Sequence, residues 1–158
     1  MRNLLFCFLF VLPIYSFGQI ADVFDFFEFC LESPEVKHSK LGVANGWTGV
    51  GVDQYSEDGN VVSEMVYKKI TNGTKYYLTL KDVIDGTTGG QYSVTILMTN
   101  TESVFNKWKA DLEKGGFDLV KDPNSINKWA VLNEDDYVIY LERENVDGVW
   151  MYEITMIV

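Results

Sequence analysis

The chain has 158 residues, 23 acidic side chains against 13 basic ones for a net charge of −10, and is 47% hydrophobic with 15% aromatic residues. That length and apolar content fit one domain with a packed core rather than two. The acid excess excludes nucleic-acid and anionic-lipid binding, because phosphate is held by clusters of Lys and Arg. Basic or neutral proteins and neutral ligands are the partners that this charge leaves.

The first eighteen residues read as an address rather than as structure. Arg2 gives a positive start, Leu4 to Ile14 is an apolar run too short to span a bilayer as a helix, and Ser16 and Gly18 place small residues before a cleavage point at Gln19. Residues 1–18 are therefore expected to be a signal peptide and residues 19–158 a single α+β domain, secreted or periplasmic. Cleavage removes one basic residue and no acidic one, and it leaves Cys30 as the only cysteine. No internal disulfide can then form, and stability must come from the core. No later stretch is long and apolar enough to cross a membrane as a helix, so no insertion is expected after cleavage.

The stretch "IADVFDFFEFCLE" repeats Ile20, Val23, Phe24, Phe27, Cys30 and Leu31 at steps of three and four, with Asp22, Asp25, Glu28 and Glu32 opposite. This is the pattern of an amphipathic helix, ended by Ser33-Pro34. Cys30 falls on its apolar side with no base nearby, as a small core residue does. The following "SPEVKHSKLG" reads as a loop that carries the only histidine, His38.

From Trp47 the period changes to alternation, and the punctuation becomes Gly beside Asn or Asp. "EDGN", "TNGT" and "IDGTTGG" separate runs rich in Val, Tyr, Thr and Ile, which predicts consecutive hairpins with strands near 47–54, 61–70, 75–84 and 91–98. A second helix is predicted in "TESVFNKWKADLEKGG", capped by Thr99 or Thr101, with Phe105, Trp108 and Leu112 on its buried stripe. Four shorter strand candidates follow, "FDLVK", "INKWAVL", "DYVIYLEREN" and "VWMYEITMIV".

The order is thus a helix and four strands, twice. With Asp85-Gly86 laid on Asp147-Gly148, Tyr76 falls on Tyr137, Leu78 on Ile139, Leu80 on Leu141, Tyr92 on Tyr152, Val94 on Ile154 and Ile96 on Met156. The expected fold is an antiparallel sheet of about eight strands with two helices on one face, a tandem α-β-β-β-β repeat with halves 19–98 and 99–158. Shared hairpin grammar is the simpler explanation of the same matches. In element order the chain resembles the secreted β-lactamase-inhibitory proteins, in which a curved sheet offers its open face to an enzyme. The likeness covers element order alone; those proteins carry disulfides that one mature cysteine cannot form, and no residue role is implied by it.

Alternation assigns the other face. The matched apolar positions, with Val94 and Ile96 among them, are expected to face the helices beside Phe24, Phe27, Phe105 and Trp108. Tyr77, Thr79, Lys81, Ser93, Thr95, Val138, Tyr140, Glu142, Met151, Glu153 and Thr155 should point away. Of these Tyr77, Tyr140, Val138 and Met151 are the large or apolar residues on a face that is normally polar, and Glu142 and Glu153 supply charge. Cross-strand pairing that only stabilises the sheet accounts for the tyrosines equally well. Trp47 is a further binding candidate at the rim, and burial under the sheet edge suits it too.

Catalytic chemistry finds little support. One His does not make a zinc site of the usual kind, so no metal or other cofactor is expected. "DQYSEDGNVVSE" begins and ends on an acid like a calcium loop, but Tyr55 occupies a ligand position and Gly59 comes one place late. "LGVANGWTGVG" has glycines without a following Lys, and Asn72-Gly73-Thr74 is explained as a hairpin turn before any glycosylation is invoked. The expected function is a small secreted, non-catalytic binding module that uses the open sheet face. The alternative is a small hydrolase working with carboxylates near the turns, among Asp82, Asp85, Glu134, Asp135 and Asp136.

Overall fold

The computed structural model describes residues 22–132 and 137–158. The expected signal peptide and the acids Glu134, Asp135 and Asp136 lie outside them. Among the described residues there are three α-helices and eight strands: α1 (Val23–Cys30), α2 (Pro34–Lys40), β1 (Thr48–Glu57), β2 (Asn60–Thr71), β3 (Thr74–Ile84), β4 (Gln91–Thr99), α3 (Glu102–Lys114), β5 (Asp118–Lys121), β6 (Lys128–Leu132), β7 (Val138–Val146) and β8 (Val149–Ile157). The strands form one sheet in the order β1-β2-β3-β4-β8-β7-β6-β5, and every neighbouring pair is antiparallel. The protein is α+β, and its sheet is two four-stranded meanders joined where β4 meets β8.

Local chemistry explains most of the boundaries. Asp22 starts α1 by accepting the Phe24 and Asp25 N–H groups, each at 2.9 Å, which satisfies two otherwise orphaned donors. Three hairpins close through Asp58-Gly59, Asn72-Gly73 and Asp147-Gly148, with φ positive at both central residues of each. That conformation matches the twist of the flanking strands and favours an Asx-Gly pair. Asp85-Gly86 behaves differently: Asp85 accepts the Thr87 and Thr88 N–H groups at 2.7 and 2.8 Å and starts a longer loop to β4.

Two expectations about the helices need correction. "SPEVKHSKLG" is not a loop, because Pro34–Lys40 forms α2 with proline in its first turn, Glu35 at its start and Lys37, His38 and Lys40 at its end. Proline is pre-set for that position, and the charges oppose the helix dipole. The buried side of α1 is Val23, Phe26, Phe29 and Cys30, whereas Phe24 is 40% and Leu31 52% exposed. Aromatics at 24, 26, 27 and 29 make α1 apolar almost all round, so spacing alone could not choose the buried side. Phe24 and Phe27 instead meet Phe117, with ring centroids 6.3 and 6.0 Å apart.

One core cluster contains Val23, Phe26, Phe29 and Cys30 from α1, Phe105, Trp108 and Leu112 from α3, and Leu78, Leu97, Leu141, Ile154 and Met156 from the sheet. Leu78, Leu97, Ile154 and Leu141 are successive cross-strand partners and so form one row across the join between the meanders. Thr95 and Thr99 lie on the same side of β4 and are buried as well. The expected register of β4 is therefore wrong by one residue: Val94 and Ile96 are on the opposite face, while Ser93 and Thr95 are on the core side. Hydrophobicity favours the wrong set in this strand, since Tyr92, Val94, Ile96 and Met98 are more apolar than Ser93, Thr95, Leu97 and Thr99. Thr99 has a local task there, because its Oγ1 accepts the Thr101 N–H at 3.3 Å as the chain turns into α3.

The corrected register has a measurable consequence. Leu97→Ala should cost about 2 to 5 kcal/mol in denaturant unfolding, as truncation of a fully buried leucine does. Ile96→Ala, on the half-buried face, should cost about 1 kcal/mol. Equal losses at the two positions would contradict the register.

Candidate binding face of the sheet

The residues that alternate with the core rows form a second face whose composition follows strand by strand from the pairing. One row runs Val66, Thr79, Ile96, Thr155, Tyr140, Ala130 and Val120 across the sheet. Beside it lie Lys81, Val94, Ile157 and Val138 on one flank, and Tyr77, Met98, Glu153 and Glu142 on the other. Val62 pairs with Val83, which pairs with Tyr92, at the end nearest the β1–β2 turn. On this face β4 contributes Tyr92, Val94, Ile96 and Met98, while Lys81 on β3 and Glu153 and Glu142 on β8 and β7 bring charge beside them.

Tyr77, Tyr140, Val138, Met151, Glu142 and Glu153 share this face. Tyr77 and Tyr140 are half-buried, and each has a lysine over its ring, Lys68 at 5.8 Å and Lys128 at 4.4 Å from the centroid. Lys128 also pairs with Glu142 at 3.4 Å. Trp47 is not on this surface: it is 2% exposed, belongs to the core cluster and has the Lys69 ammonium 5.6 Å from its ring centroid. Val62, Val83, Val94, Ile96 and Met98 complete the apolar band, and sequence reasoning missed their place in it. Val94 and Ile96 were hidden by the β4 register, whereas Val83 follows Tyr77, Thr79 and Lys81 at period two, and Val62 is placed by its pairing with Val83.

Charge on this face is unevenly compensated. Lys81 donates to Glu64 at 3.0 Å and to the Tyr55 hydroxyl at 3.4 Å. Burial pulls its pKa down, but these two partners outweigh that and hold the ammonium above the usual lysine range. Glu153 is pushed the other way: burial raises its carboxyl above the ordinary range, and Glu142 and Glu144 add to this, against the Thr155 hydroxyl donating at 3.2 Å. Glu142 and Glu153 are direct cross-strand partners. Like charges in that position repel, which adds to the upward push on the Glu153 carboxyl.

Other candidate groups have local duties. His38 is exposed on α2, with Nδ1 3.1 Å from the Tyr67 hydroxyl. Burial raises the Cys30 thiol to about 12, against opposing contributions from Thr95 and Lys37, so Cys30 is a packing residue rather than a nucleophile. Asp82 accepts the Ser93 hydroxyl at 2.8 Å, and Asp85 shapes the β3–β4 loop. Among the described residues no group of three or more His, Cys, Asp or Glu side chains is placed to hold a metal ion. No helix among them is long and apolar enough to cross a membrane. No protein-family model, curated protein or solved structure matches the chain. The chemistry of the face is therefore the guide to its use.

Glu153 supplies a test of this electrostatic account. Its folded pKa lies above the unfolded one, so the cost of ionising it opposes folding at neutral pH and vanishes once pH falls below the unfolded value. Glu153→Gln should melt higher than the unaltered protein at pH 7, and the difference should shrink as pH falls through the carboxylate range. Thermal melts at matched ionic strength from pH 3 to 8 measure it, and a pH-independent difference would contradict the assignment.

Proposed function

We propose that α1 and α3 cover one face of a sheet built from two α-β-β-β-β halves, 19–98 and 99–158, and that the opposite face binds a protein partner. The protein then acts as a small secreted module without catalysis of its own. The observation that carries this reading is the apolar band through Val94, Ile96, Met98, Ile157 and Tyr140 on the face away from the core cluster. A solvated sheet face of an antiparallel protein is ordinarily polar, and a contiguous apolar band rimmed by charge is the mark of an interaction surface. The strand order, mirrored about β4 and β8, supports the two halves. The acid excess supports a basic or neutral partner, steered by charge and held by the apolar band and the tyrosines.

Three of the four salt bridges on the described surface engage lysines that already lie against an acid or a ring of the sheet or of α3. The acids outnumber the cations left over, so the field that a partner meets is negative. The carboxylate hydrolase has less support. Asp82 and Asp85 are used in a strand pair and a loop, and an acid–base pair needs two carboxyl groups converging on one substrate bond.

Export from the cytoplasm is part of the proposal, and intact-mass measurement of the protein recovered outside it should give a chain that begins at Gln19. A mass that retains Met1 to Gly18 would refute cleavage. For the binding face, capture from periplasmic or secreted fractions should yield a partner whose affinity falls at least thirtyfold in Tyr77→Ala/Tyr140→Ala, about 2 kcal/mol, with the fold unchanged by circular dichroism. Added salt should slow association more than it speeds dissociation. Undiminished binding by the folded double variant would remove the tyrosines from the interface.

A further inference from the structure

The free face has a concavity at one end. A cavity of about 260 Å³ opens there, lined by Val62, Val83, Tyr92, Val94 and Ile96 and, at the β1–β2 turn, by Glu57 and Asp58. It is smaller than the roughly 300 to 1,000 Å³ sites that enclose drug-sized ligands, and its volume suits one long side chain. Its charge is one-sided. Lys81 also lines it, but that ammonium is held by Glu64 at 3.0 Å and by Tyr55 at 3.4 Å. Glu57 and Asp58 have no ion pair among the described residues.

The cavity is also preformed. Asn60, at the start of β2, accepts the Gly86 N–H at 3.1 Å and so ties the β1–β2 turn to the β3–β4 loop. The two backbones touch so closely that a Cβ on Gly86 would lie 1.9 Å from the Gly59 carbonyl oxygen. Only glycine fits there. A site held this way loses little freedom when it is filled.

We propose that this cavity is an anchor subsite of the binding face and takes a long basic side chain, arginine or lysine, from the partner. Its methylenes would lie on the valines and Ile96 while its cationic end meets Glu57 and Asp58. Long basic side chains divide in this way between an apolar stem and a charged head, and a charge-assisted hydrogen bond to a carboxylate is the stronger kind. The inference rests on the reading of the free face as a protein-binding surface, but it uses residues other than Tyr77 and Tyr140.

The test uses n-hexylguanidinium as the probe, with n-hexanol and hexanoate as controls, and follows the methyl signals of the exported protein by NMR. Hexylguanidinium should give saturable shifts at Val62, Val83, Val94 and Ile96, with affinity at least tenfold above that of either control. Glu57→Gln/Asp58→Asn should lose most of that advantage; asparagine keeps the turn, since it tolerates the positive φ of Asp58. Equal binding of the controls, an unchanged affinity in the double variant, or no saturable shift at these methyls would overturn the proposal. The two readings also separate in partner capture. A Glu57→Gln/Asp58→Asn protein that binds the captured partner undiminished overturns the anchor alone. Undiminished capture by Tyr77→Ala/Tyr140→Ala overturns the tyrosine contacts alone.

Discussion

The row Leu78, Leu97, Ile154 and Leu141 crosses the β4–β8 junction between the two meanders, and all four side chains are buried to within 2% of full exclusion. Because side chains on a strand alternate with period two, burying this row fixes the orientation of every residue on four strands at once. Phe26 and Phe29 of α1 and Phe105 and Trp108 of α3 belong to the same cluster, where the Phe105 ring centroid lies 5.2 Å from that of Tyr152 and 5.9 Å from that of Trp129. A one-residue slip at β4 would expose Leu97 and bury Ile96 in its place. The apolar band of the other face is a consequence of this constraint, since Val94, Ile96 and Met98 have nowhere else to point.

Aromatic rings organise the few cations in a way that shapes the field around the molecule. Lys69 lies over Trp47, Lys109 over Trp129 at 4.0 Å, Lys128 over Tyr140 and Arg143 over Trp150. A cation above a ring keeps its charge but surrenders conformational freedom, and its stem covers apolar surface. Burial lowers the pKa of Lys69 and Lys109, which is the desolvation cost of holding an ammonium against a ring. Asp58 and Asp147, by contrast, sit exposed at hairpin turns, so part of the acid excess is displayed to solvent.

What the sequence made legible depended on whether local chemistry was decisive. The Asx-Gly turns and the alternation around them placed β1 to β4 and β7 to β8 within a few residues, and Phe105, Trp108 and Leu112 marked the buried side of α3 by spacing alone. Tyr77, Tyr140, Glu142 and Glu153 could be assigned to one face because β3, β7 and β8 alternate strongly. In β4 the more apolar set faces outward and the threonines face the core, so the pattern misled. In α1, four phenylalanines within six positions left the buried side to be chosen by tertiary packing. The cavity was illegible for another reason: it exists because the β1–β2 turn rests on the β3–β4 loop, a contact between segments 26 residues apart that leaves no periodic trace.

The edges of the sheet bear on how the proposed partner would dock. An exposed edge strand offers unpaired backbone groups to any incoming strand, and β1 is a long edge. It is blunted in two ways. Its register shifts between Gly49 and Gly51, which breaks the regular ladder, and the Gln54 N–H donates to the carboxylate of its own neighbour Asp53 at 2.8 Å. At the opposite edge β5 has four residues, ends in Lys121 and is followed by Pro123, so it offers only a short template. Addition of a foreign strand is disfavoured at both ends of the sheet. In the proposed binding mode, contact runs instead through side chains on the open face, where the half-buried tyrosines and the valine-lined cavity would provide the contact area.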